Sequence, residues 1–371
     1  MVNTVTGRAP IPRYRGAQIF RWLGRGARTF EEMTDLPLRL RADFAARAVT
    51  GIPEIVSILR SPRDETVKYA IKTADGCVVE SVLMRYKHGD TVCVSSQAGC
   101  RMGCEFCATK PKSFVRSLTP GEMFGQVVAI ANAEGREFHT VATGGEPAGE
   151  TPPVSASPPA PASEPASTPA PASEPARRIR NIVVMGVGEP FDNYENTLKF
   201  IRLLHEHEET NIGYRKITIS TCGILPGILR LADEGIPIGL SVSLNAPADE
   251  LRSRLMPVNN RYSIDKLIEG CKIYTSKTNR RVTFEYALIK DVNDAPDDAE
   301  AVLRLIRGML CHVNLIPVNE TETSGFAPSP DERIIQFIRV LRRGGVQITV
   351  RRGLGADIMA ACGQLRNSMI K

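Results

Sequence analysis

The sequence lacks any apolar run that approaches the ~20 residues needed to cross a lipid bilayer, so we expect no membrane-spanning segment. Its first residues also lack an apolar stretch of signal-peptide length, and we therefore expect a cytoplasmic protein whose nine cysteines stay reduced. The five histidines show no metal-ligand spacing. What is present is an ordinary globular balance of 42% hydrophobic and 24% charged residues over 371 positions. Such a chain buries a full core without needing disulfides.

Lysine is missing from residues 1–60, which contain ten arginines and only five acidic residues. The guanidinium group matches phosphate oxygens in a bidentate way, so this local excess of arginine favours contact with a phosphate-bearing polymer. A solvated charged surface is an equally good interpretation of the charge alone. Apolar residues recur at helical spacing over 14–50, and Gly24 and Pro37 interrupt them. We expect a small helical domain over residues 1–52.

Residues 53–90 are predicted to form a β-rich connector, with Asp75-Gly76 as the turn of a hairpin. After this connector, apolar runs of strand length alternate strictly with amphipathic helical patterns. The predicted strands lie near 91–95, 180–186, 215–221, 237–244, 281–289 and 312–317. The predicted helices lie near 119–134, 194–207, 224–234, 263–276, 296–309 and 330–343. Six strand–helix units in succession indicate an α/β fold with a parallel sheet, either open or closed as a partial barrel.

One stretch interrupts this alternation between the first helix and the second strand. Residues 151–176 hold nine of the 26 prolines, and the octapeptide PAPASEPA occurs at 159–166 and again at 169–176. Such a composition buries little apolar surface, so we expect residues 148–178 to be a disordered insertion in a surface loop.

Cys100, Cys104 and Cys107 form the strongest chemical signal, a C-x3-C-x2-C motif directly after the first predicted strand of the alternation. Three thiolates on one loop can bind three irons of a cubane cluster and leave the fourth iron open to a chelating substrate such as S-adenosylmethionine. The alternative is a zinc site with Cys93 as the fourth thiolate. The six-fold strand–helix alternation favours the cluster.

At this point the chain resembles a known family, the radical S-adenosylmethionine RNA methyltransferases that methylate adenine at C2. The resemblance extends from about Ile19 to Leu365, apart from the insertion. It is carried by CVSSQAGCRMGCEFCAT (93–109), MGVGEPFDNYEN (185–196), ITISTCG (217–223), SVSLNAPADELRSRLMPVN (241–259), RVTFEYALI (281–289), HVNLIPVN (312–319) and ADIMAACGQL (356–365). Several long motifs in the right order make the match specific.

The resemblance implies a partial (βα)6 TIM-like radical SAM barrel over residues 91–351, followed by a C-terminal segment, 352–371. It implies a [4Fe-4S] cluster held by the three cysteines and by S-adenosylmethionine. It also implies contacts of S-adenosylmethionine with residues at the carboxyl ends of the strands, where barrel enzymes place their sites. These residues are Gly188, Glu189, Ser220, Ser243, Leu244, Asn245 and Asn319. Asn245 stands where members of the family usually have histidine.

The resemblance further implies a mechanism with two thiols and a base. Cys362 would accept a methyl group from one S-adenosylmethionine, and a radical derived from a second would activate that methyl group to add to C2 of adenine. Glu80 would remove the C2 proton. Cys93 would then attack the sulfur of Cys362, releasing methylated RNA and leaving a disulfide.

The implied substrates are adenosines of 23S rRNA, in the peptidyl-transferase loop, and of tRNA, next to the anticodon. We expect a monomer that receives electrons from a donor such as flavodoxin or ferredoxin and that has no membrane partner. Two alternatives stay open. One is the related methyltransferase that acts at C8 of adenosine. The other is a zinc-stabilised RNA-binding module without catalysis, which a brown colour after anaerobic purification would exclude.

Overall fold

A computed structural model shows how these segments are arranged in space. It describes residues 11–87, 89–109, 113–135, 137–138, 178–208, 210–319 and 325–365. Except for Arg178, the insertion expected over 148–178 lies outside the described residues. No helix in the described part of the chain has the length and apolarity needed to cross a bilayer.

The N-terminal residues form a small helical unit with its own core. Helix α1 spans Arg13–Gly24 and helix α2 spans Leu38–Ala45, so the breaks predicted at Gly24 and Pro37 are confirmed. The buried side chains shared by the two helices and their connection are Ile19, Ala27, Phe30, Met33, Leu36 and Phe44. These side chains form a cluster separate from the main core, as expected for a unit with its own apolar faces.

Four antiparallel strands follow, in agreement with the prediction of a β-rich connector. They are β1 (Glu54–Arg60), β2 (Val67–Lys72), β3 (Val78–Met84) and β4 (Asp90–Cys93), paired in that order. The hairpin at Asp75-Gly76 is confirmed: the Thr73 amide donates to the Cys77 carbonyl, and Gly76 has a φ of +86°. The sequence offered no clear pattern for β1, because this edge strand leaves most of its side chains exposed.

Strand β4 also pairs in parallel with the next long strand, so the connector and the alternating region share one sheet. The further strands are β5 (Gln97–Ala98), β6 (Arg116–Ser117), β7 (Glu137–Phe138), β8 (Arg178–Val184), β9 (Ile217–Thr221), β10 (Gly239–Ser243), β11 (Val282–Leu288), β12 (Cys311–Pro317) and β13 (Gln347–Val350). Parallel pairing runs in the order β4-β8-β9-β10-β11-β12-β13. All six predicted strands are therefore confirmed, β13 extends the parallel series beyond β12, and the two-residue β7 also pairs in parallel with β8.

Six of the helices between the parallel strands lie where they were predicted, and a short additional one, Asp249–Leu255, was not predicted. They are α3 (Pro120–Ala133), α4 (Tyr194–Glu206), α5 (Leu225–Asp233), α6 (Asp249–Leu255), α7 (Ile264–Thr278), α8 (Pro296–Ile306) and α9 (Asp331–Arg343). A capping box at Thr119 and Glu122, with Pro120 at the first helical position, starts α3 sharply. The main core includes Phe200, Phe284 and Phe337, all fully buried. This is the α/β architecture with a parallel sheet that the strand–helix alternation predicted.

The sheet has two ends, and the C-terminal residues 351–365 bridge them. On the side of β1 and β2, the Gly355 amide donates to Asp64 at 2.7 Å and Lys68 Nζ donates to the Met359 carbonyl at 3.1 Å. On the side of β12, Asn319 Nδ2 donates to the carbonyl of Cys362 at 3.1 Å. Contacts at both ends hold this short segment across the carboxyl ends of the parallel strands.

The N-terminal helical unit docks on the outer side of α3 and α4. The Phe20 carbonyl lies 2.6 Å from His207 Nε2, and the Phe20 ring stacks on Phe124 with centroids 6.1 Å apart. A Cβ atom at Gly24 would lie 2.0 Å from the His207 ring, so only glycine allows this approach. The division of the chain at residue 52 stays a prediction.

Candidate active site

The three motif cysteines line one wall of an inner cavity of about 200 Å³ at the carboxyl ends of the parallel strands. Their loop is held from both sides, because Glu105 donates its amide to Leu255 and Ala108 donates its amide to Gly363. Burial raises the pKa of the Cys100 thiol to about 12. Burial also raises the pKa of Cys104, and the neighbouring Cys107 and Cys100 thiols add to that effect.

The donor set of this loop fits an iron–sulfur cluster that keeps one iron open. Cys93, which zinc would need as a fourth ligand, does not line the inner cavity but an outer one. Among the described residues, no three His, Cys, Asp or Glu side chains are grouped to chelate a single metal ion. A cubane does not require such a group, since each thiolate binds a different iron. Three thiolates, without a fourth from Cys93, match a cluster and not a tetrahedral zinc site.

Gly188 and Glu189 follow β8 and form the floor of the inner cavity. Gly188 has a φ of +108°, and a Cβ atom there would lie 2.6 Å from Gln97, so glycine is required on two grounds. The Glu189 carboxylate accepts the amides of Phe191 at 3.0 Å and Cys222 at 2.7 Å. Burial raises the pKa of Glu189 in spite of these hydrogen bonds. The carboxylate thus ties the end of β8 to the end of β9.

Four of the other residues implied as cofactor contacts line the same cavity, namely Ser220, Ser243, Asn245 and Asn319. Leu244 does not: its side chain lies in the main core, its amide donates to the Glu285 carbonyl, and its own carbonyl accepts from Arg252. A contact between Leu244 and a cofactor therefore stays a prediction, and such a contact would have to be made by the backbone of Leu244. The structure brings the other predicted residues of this group together.

The side chain of Asn245 connects the ends of two strands. Its φ is +55°, a left-handed conformation that asparagine tolerates better than most residues. Its Oδ1 accepts the Ala287 amide at 2.7 Å, and its Nδ2 lies 3.3 Å from Met256 Sδ. The asparagine therefore anchors the end of β10 to β11 and forms part of the cavity wall.

Arg252 organises these strand ends, and the sequence analysis did not single it out. It is fully buried on α6, and its guanidinium donates to the carbonyls of Leu244, Cys222 and Ser243 and to the side chain of Asn259. Arg252 lies in a long segment that matches the family, but so does the exposed Arg254, and the sequence of this segment does not distinguish the two arginines. Only the packing shows which arginine is buried.

Replacing Arg252 by methionine is expected to destabilise the fold. The carbonyls of Cys222 and Ser243 and the amide oxygen of Asn259 would each lose a hydrogen bond, while the Leu244 carbonyl would keep the Ala246 amide as a donor. A buried group left unsatisfied in this way costs about 1–3 kcal/mol. We expect the free energy of unfolding to fall by about 3 kcal/mol or more, measured by urea denaturation. Arg254→Met is the matched control and should change it by less than about 0.5 kcal/mol. Equal stability of both variants would contradict this role.

Cys93 and Cys362 line a second, outer cavity of about 470 Å³ that adjoins the inner one. Cys362 lines both cavities, whereas Cys93 lines only the outer one. Neither cysteine is in a disulfide, and the same is true of the other seven cysteines of the chain. Burial raises the pKa of Cys93 to about 12, and the nearby Cys362 adds to this rise. The two thiols that the resemblance implied for catalysis are thus neighbours, although 269 positions separate them in the sequence.

Glu80 lies behind the outer cavity and does not line it. It is buried on β3, on the same face as Val82 and Met84, which do line the cavity. Its Oε1 lies 3.3 Å from Lys68 Nζ, and the same ammonium group donates to the Met359 carbonyl. The ion pair therefore links the predicted base to the segment that carries Cys362.

Two further charged residues of the inner cavity were missed. Glu285 on β11 accepts from Asn314 Nδ2 at 2.7 Å, and burial raises its pKa. Arg351, the first residue after β13, lines both cavities. The sequence offered a partial signal, since Glu285 lies within RVTFEYALI, but Arg351 lies outside the matching motifs.

Comparison with known proteins agrees with this architecture. The sequence profile described as the Radical SAM superfamily matches residues 172–306. A crystal structure of a radical SAM methyltransferase from Sphaerobacter thermophilus is 45% identical, with a TM-score of 0.83, over 96% of this chain and 94% of that one. Fold and site together define a radical SAM methyltransferase, which implies a [4Fe-4S] cluster and S-adenosylmethionine.

Curated relatives narrow the assignment to one family. A probable dual-specificity RNA methyltransferase RlmN of Clostridium botulinum (strain Eklund 17B / Type B) is 43% identical over 358 residues, 96% of this chain and 91% of the relative. One of Clostridioides difficile (strain 630) is 41% identical over 353 residues, 95% of this chain and 91% of the relative. The chain belongs to this family of dual-specificity RNA methyltransferases. It is an RNA methyltransferase, and the resemblance found in its sequence is confirmed.

Proposed function

We propose that the chain methylates C2 of adenosine in the peptidyl-transferase loop of 23S rRNA and in tRNA next to the anticodon, through an S-methyl group on Cys362. One observation carries this proposal: Cys362 lines both the inner cavity of the three motif cysteines and the outer cavity that contains Cys93. The relatives' description as dual-specificity RNA methyltransferases supports two kinds of RNA substrate.

In this proposal the inner cavity holds the cofactors. Cys100, Cys104 and Cys107 bind the cluster, and the polar groups at the strand ends hold S-adenosylmethionine. Bound there, cluster and S-adenosylmethionine supply the methyl group and the radical that activates it. Asn319 keeps the backbone of Cys362 at the border between the cavities through its hydrogen bond to the carbonyl. Apolar side chains of the same cavity, among them Met256 and Val318, shield a reactive carbon from side reactions.

The outer cavity admits the adenine, with Cys93 in its wall and Glu80 behind that wall. Glu80 removes the C2 proton after the carbon–carbon bond has formed, and Lys68 holds its carboxylate and the Met359 carbonyl. Cys93 attacks the sulfur of Cys362 to release the RNA. The nucleophile is a thiolate, which a buried thiol with a raised pKa forms only with help from its surroundings.

Binding of the RNA backbone is assigned to the N-terminal helical unit. Its exposed arginines are Arg13, Arg25, Arg28, Arg39 and Arg47. Exposed guanidinium groups of this kind bind phosphates without reading base sequence. We propose that the chain acts as a monomer and receives electrons from a small donor such as flavodoxin or ferredoxin.

Mass spectrometry of RNA from a strain that lacks this chain tests the proposal. We expect 2-methyladenosine to disappear from both 23S rRNA and tRNA and to return with the parent gene but not with Cys362→Ala. Loss of 8-methyladenosine instead would show that the chain acts at C8. Unchanged methylation of both RNAs would contradict the proposal.

A further inference from the structure

Arg351 occupies a distinctive position between the two cavities. Its amide donates to the Leu315 carbonyl at 2.8 Å, which continues the pairing of β13 with β12 by one residue. Its Nη1 lies 3.6 Å from Met185 Sδ, and the side chain lines both cavities, as Cys362 does. The adjacent Arg352 lines only the outer cavity and is exposed.

Arg351 supplies the positive charge of the inner cavity. Among the described residues that line the inner cavity, Arg351 is the single lysine or arginine, whereas Glu189 and Glu285 are both acidic. The Cys362 sulfur is the largest of the influences that raise the pKa of Arg351, ahead of Glu285 and Cys93. Arginine keeps its charge at every accessible pH, so this cation is present whatever its neighbours do.

The other charged or titratable groups near the two thiols do not supply the same charge. Tyr86, which follows β3, is a neutral phenol whose pKa is raised by burial. Arg352 lines only the outer cavity and is exposed, and it lowers the pKa of Tyr86 less than Arg351 does. For Cys93, burial and Cys362 raise the pKa, and Arg351 is the charged residue that opposes them.

We propose that Arg351 is a positioning residue that holds whichever of Cys93 and Cys362 is ionised, so that both can react as thiolates in this buried site. The inference rests on the proposed use of two thiols. In the release step, the Cys93 thiolate forms a bond to the Cys362 sulfur and the bond from that sulfur to the RNA-linked methylene breaks. The electron pair of the broken bond goes to the methylene carbon, which takes up a proton to become the methyl group. The two sulfur atoms lose two electrons as the disulfide forms, and the methylene carbon gains these electrons as it becomes the methyl group, so this step needs no external oxidant.

The test compares thiol reactivity in the cluster-loaded protein with Cys362 verified to be unmethylated by mass. Iodoacetamide is the probe, and the rate of Cys93 alkylation is followed across pH by peptide mass spectrometry. Arg351→Gln removes the charge but keeps a polar side chain, and Arg351→Lys keeps the charge. At a fixed pH below the midpoint, we expect Arg351→Gln to slow Cys93 alkylation about tenfold, because an adjacent opposite charge shifts a titration by about one unit or more. Arg351→Lys should recover most of the parent rate.

Two controls separate this role from loss of structure. Arg352→Gln should leave the alkylation of Cys93 within twofold of the parent, and Cys311, which lines neither cavity, should react equally in all variants. If Cys311 becomes more reactive in Arg351→Gln, Arg351→Met takes its place in the comparison with Arg351→Lys. Equal rates in the charged and uncharged variants would overturn the inference. If the parent protein makes no 2-methyladenosine but the charge at position 351 still changes the alkylation rate of Cys93, the proposed function is wrong. The effect of Arg351 on the Cys93 thiol is then still supported.

Discussion

A Cys93→Ala variant is expected to accumulate protein covalently attached to RNA, whereas Cys362→Ala forms no such adduct. The two thiols share the outer cavity, but only Cys362 also reaches the inner cavity. In the proposed reaction Cys362 carries the transferred carbon, so its removal prevents the first bond. Cys93 acts only at release, so its removal leaves the finished adduct in place. The adduct appears as an RNase-sensitive shift on a denaturing gel.

Further variants make this prediction specific. Glu80→Ala should also trap the adduct, because the C2 proton must leave before the bond to sulfur breaks. The double variant Cys93→Ala/Cys362→Ala should form no adduct, which shows that the trapped species depends on Cys362. Cys271→Ala is the matched control, since this buried thiol on α7 lines neither cavity, and it should turn over without trapping. Normal turnover by Cys93→Ala, or a shifted band with Cys362→Ala, would rule out the two-thiol mechanism.

Replacing Cys100, Cys104 or Cys107 by alanine is expected to abolish both the visible absorption of the anaerobically purified protein and the cleavage of S-adenosylmethionine. The three thiols are the donors that the motif loop offers to the inner cavity. Loss of one leaves two thiolates for a cluster that needs a third, and Cys93 lines the outer cavity instead. Iron and sulfide content and the formation of 5′-deoxyadenosine are the two measurements.

Cys222→Ala provides the control for that experiment. Cys222 also lines the inner cavity and is buried, but it lies at the end of β9 and outside the motif loop. We expect this variant to keep its cluster. A full cluster in all three motif variants would contradict the assignment, and so would loss of the cluster in Cys222→Ala alone.

Much of the fold could be predicted because its elements follow local patterns. The six strands and six helices of the alternating region appear as apolar runs and amphipathic periods, and each is found within a few residues of its predicted bounds. Strand β13 was missed as a member of the parallel sheet because its apolar residues alternate with Gln347 and Thr349 and its four residues are mostly exposed, unlike the continuous apolar run of a buried parallel strand. The strand matters because it positions Arg351 one residue beyond its end.

The site was predictable to the extent that its residues lie in long motifs. The motifs placed the three cysteines, Glu189, Ser220, Ser243, Asn245 and Asn319, and the structure brings them to one cavity. They did not separate the buried Arg252 from the exposed Arg254, or Arg351 from Arg352, since neighbours in sequence share the same local pattern. They also did not show that Leu244 points into the core or that Glu80 pairs with Lys68.

The sequence by itself determined the α/β alternation and the cluster motif, because periodicity and spacing are local properties of the chain. The family followed from the resemblance of its long motifs. Only the tertiary structure decided which side chains meet. The short C-terminal segment places Cys362 beside Cys93 because its hydrogen bonds to Asp64, Lys68 and Asn319 hold it across the two ends of an open sheet. Such contacts between distant residues depend on the packing of the whole molecule, and no local pattern encodes them.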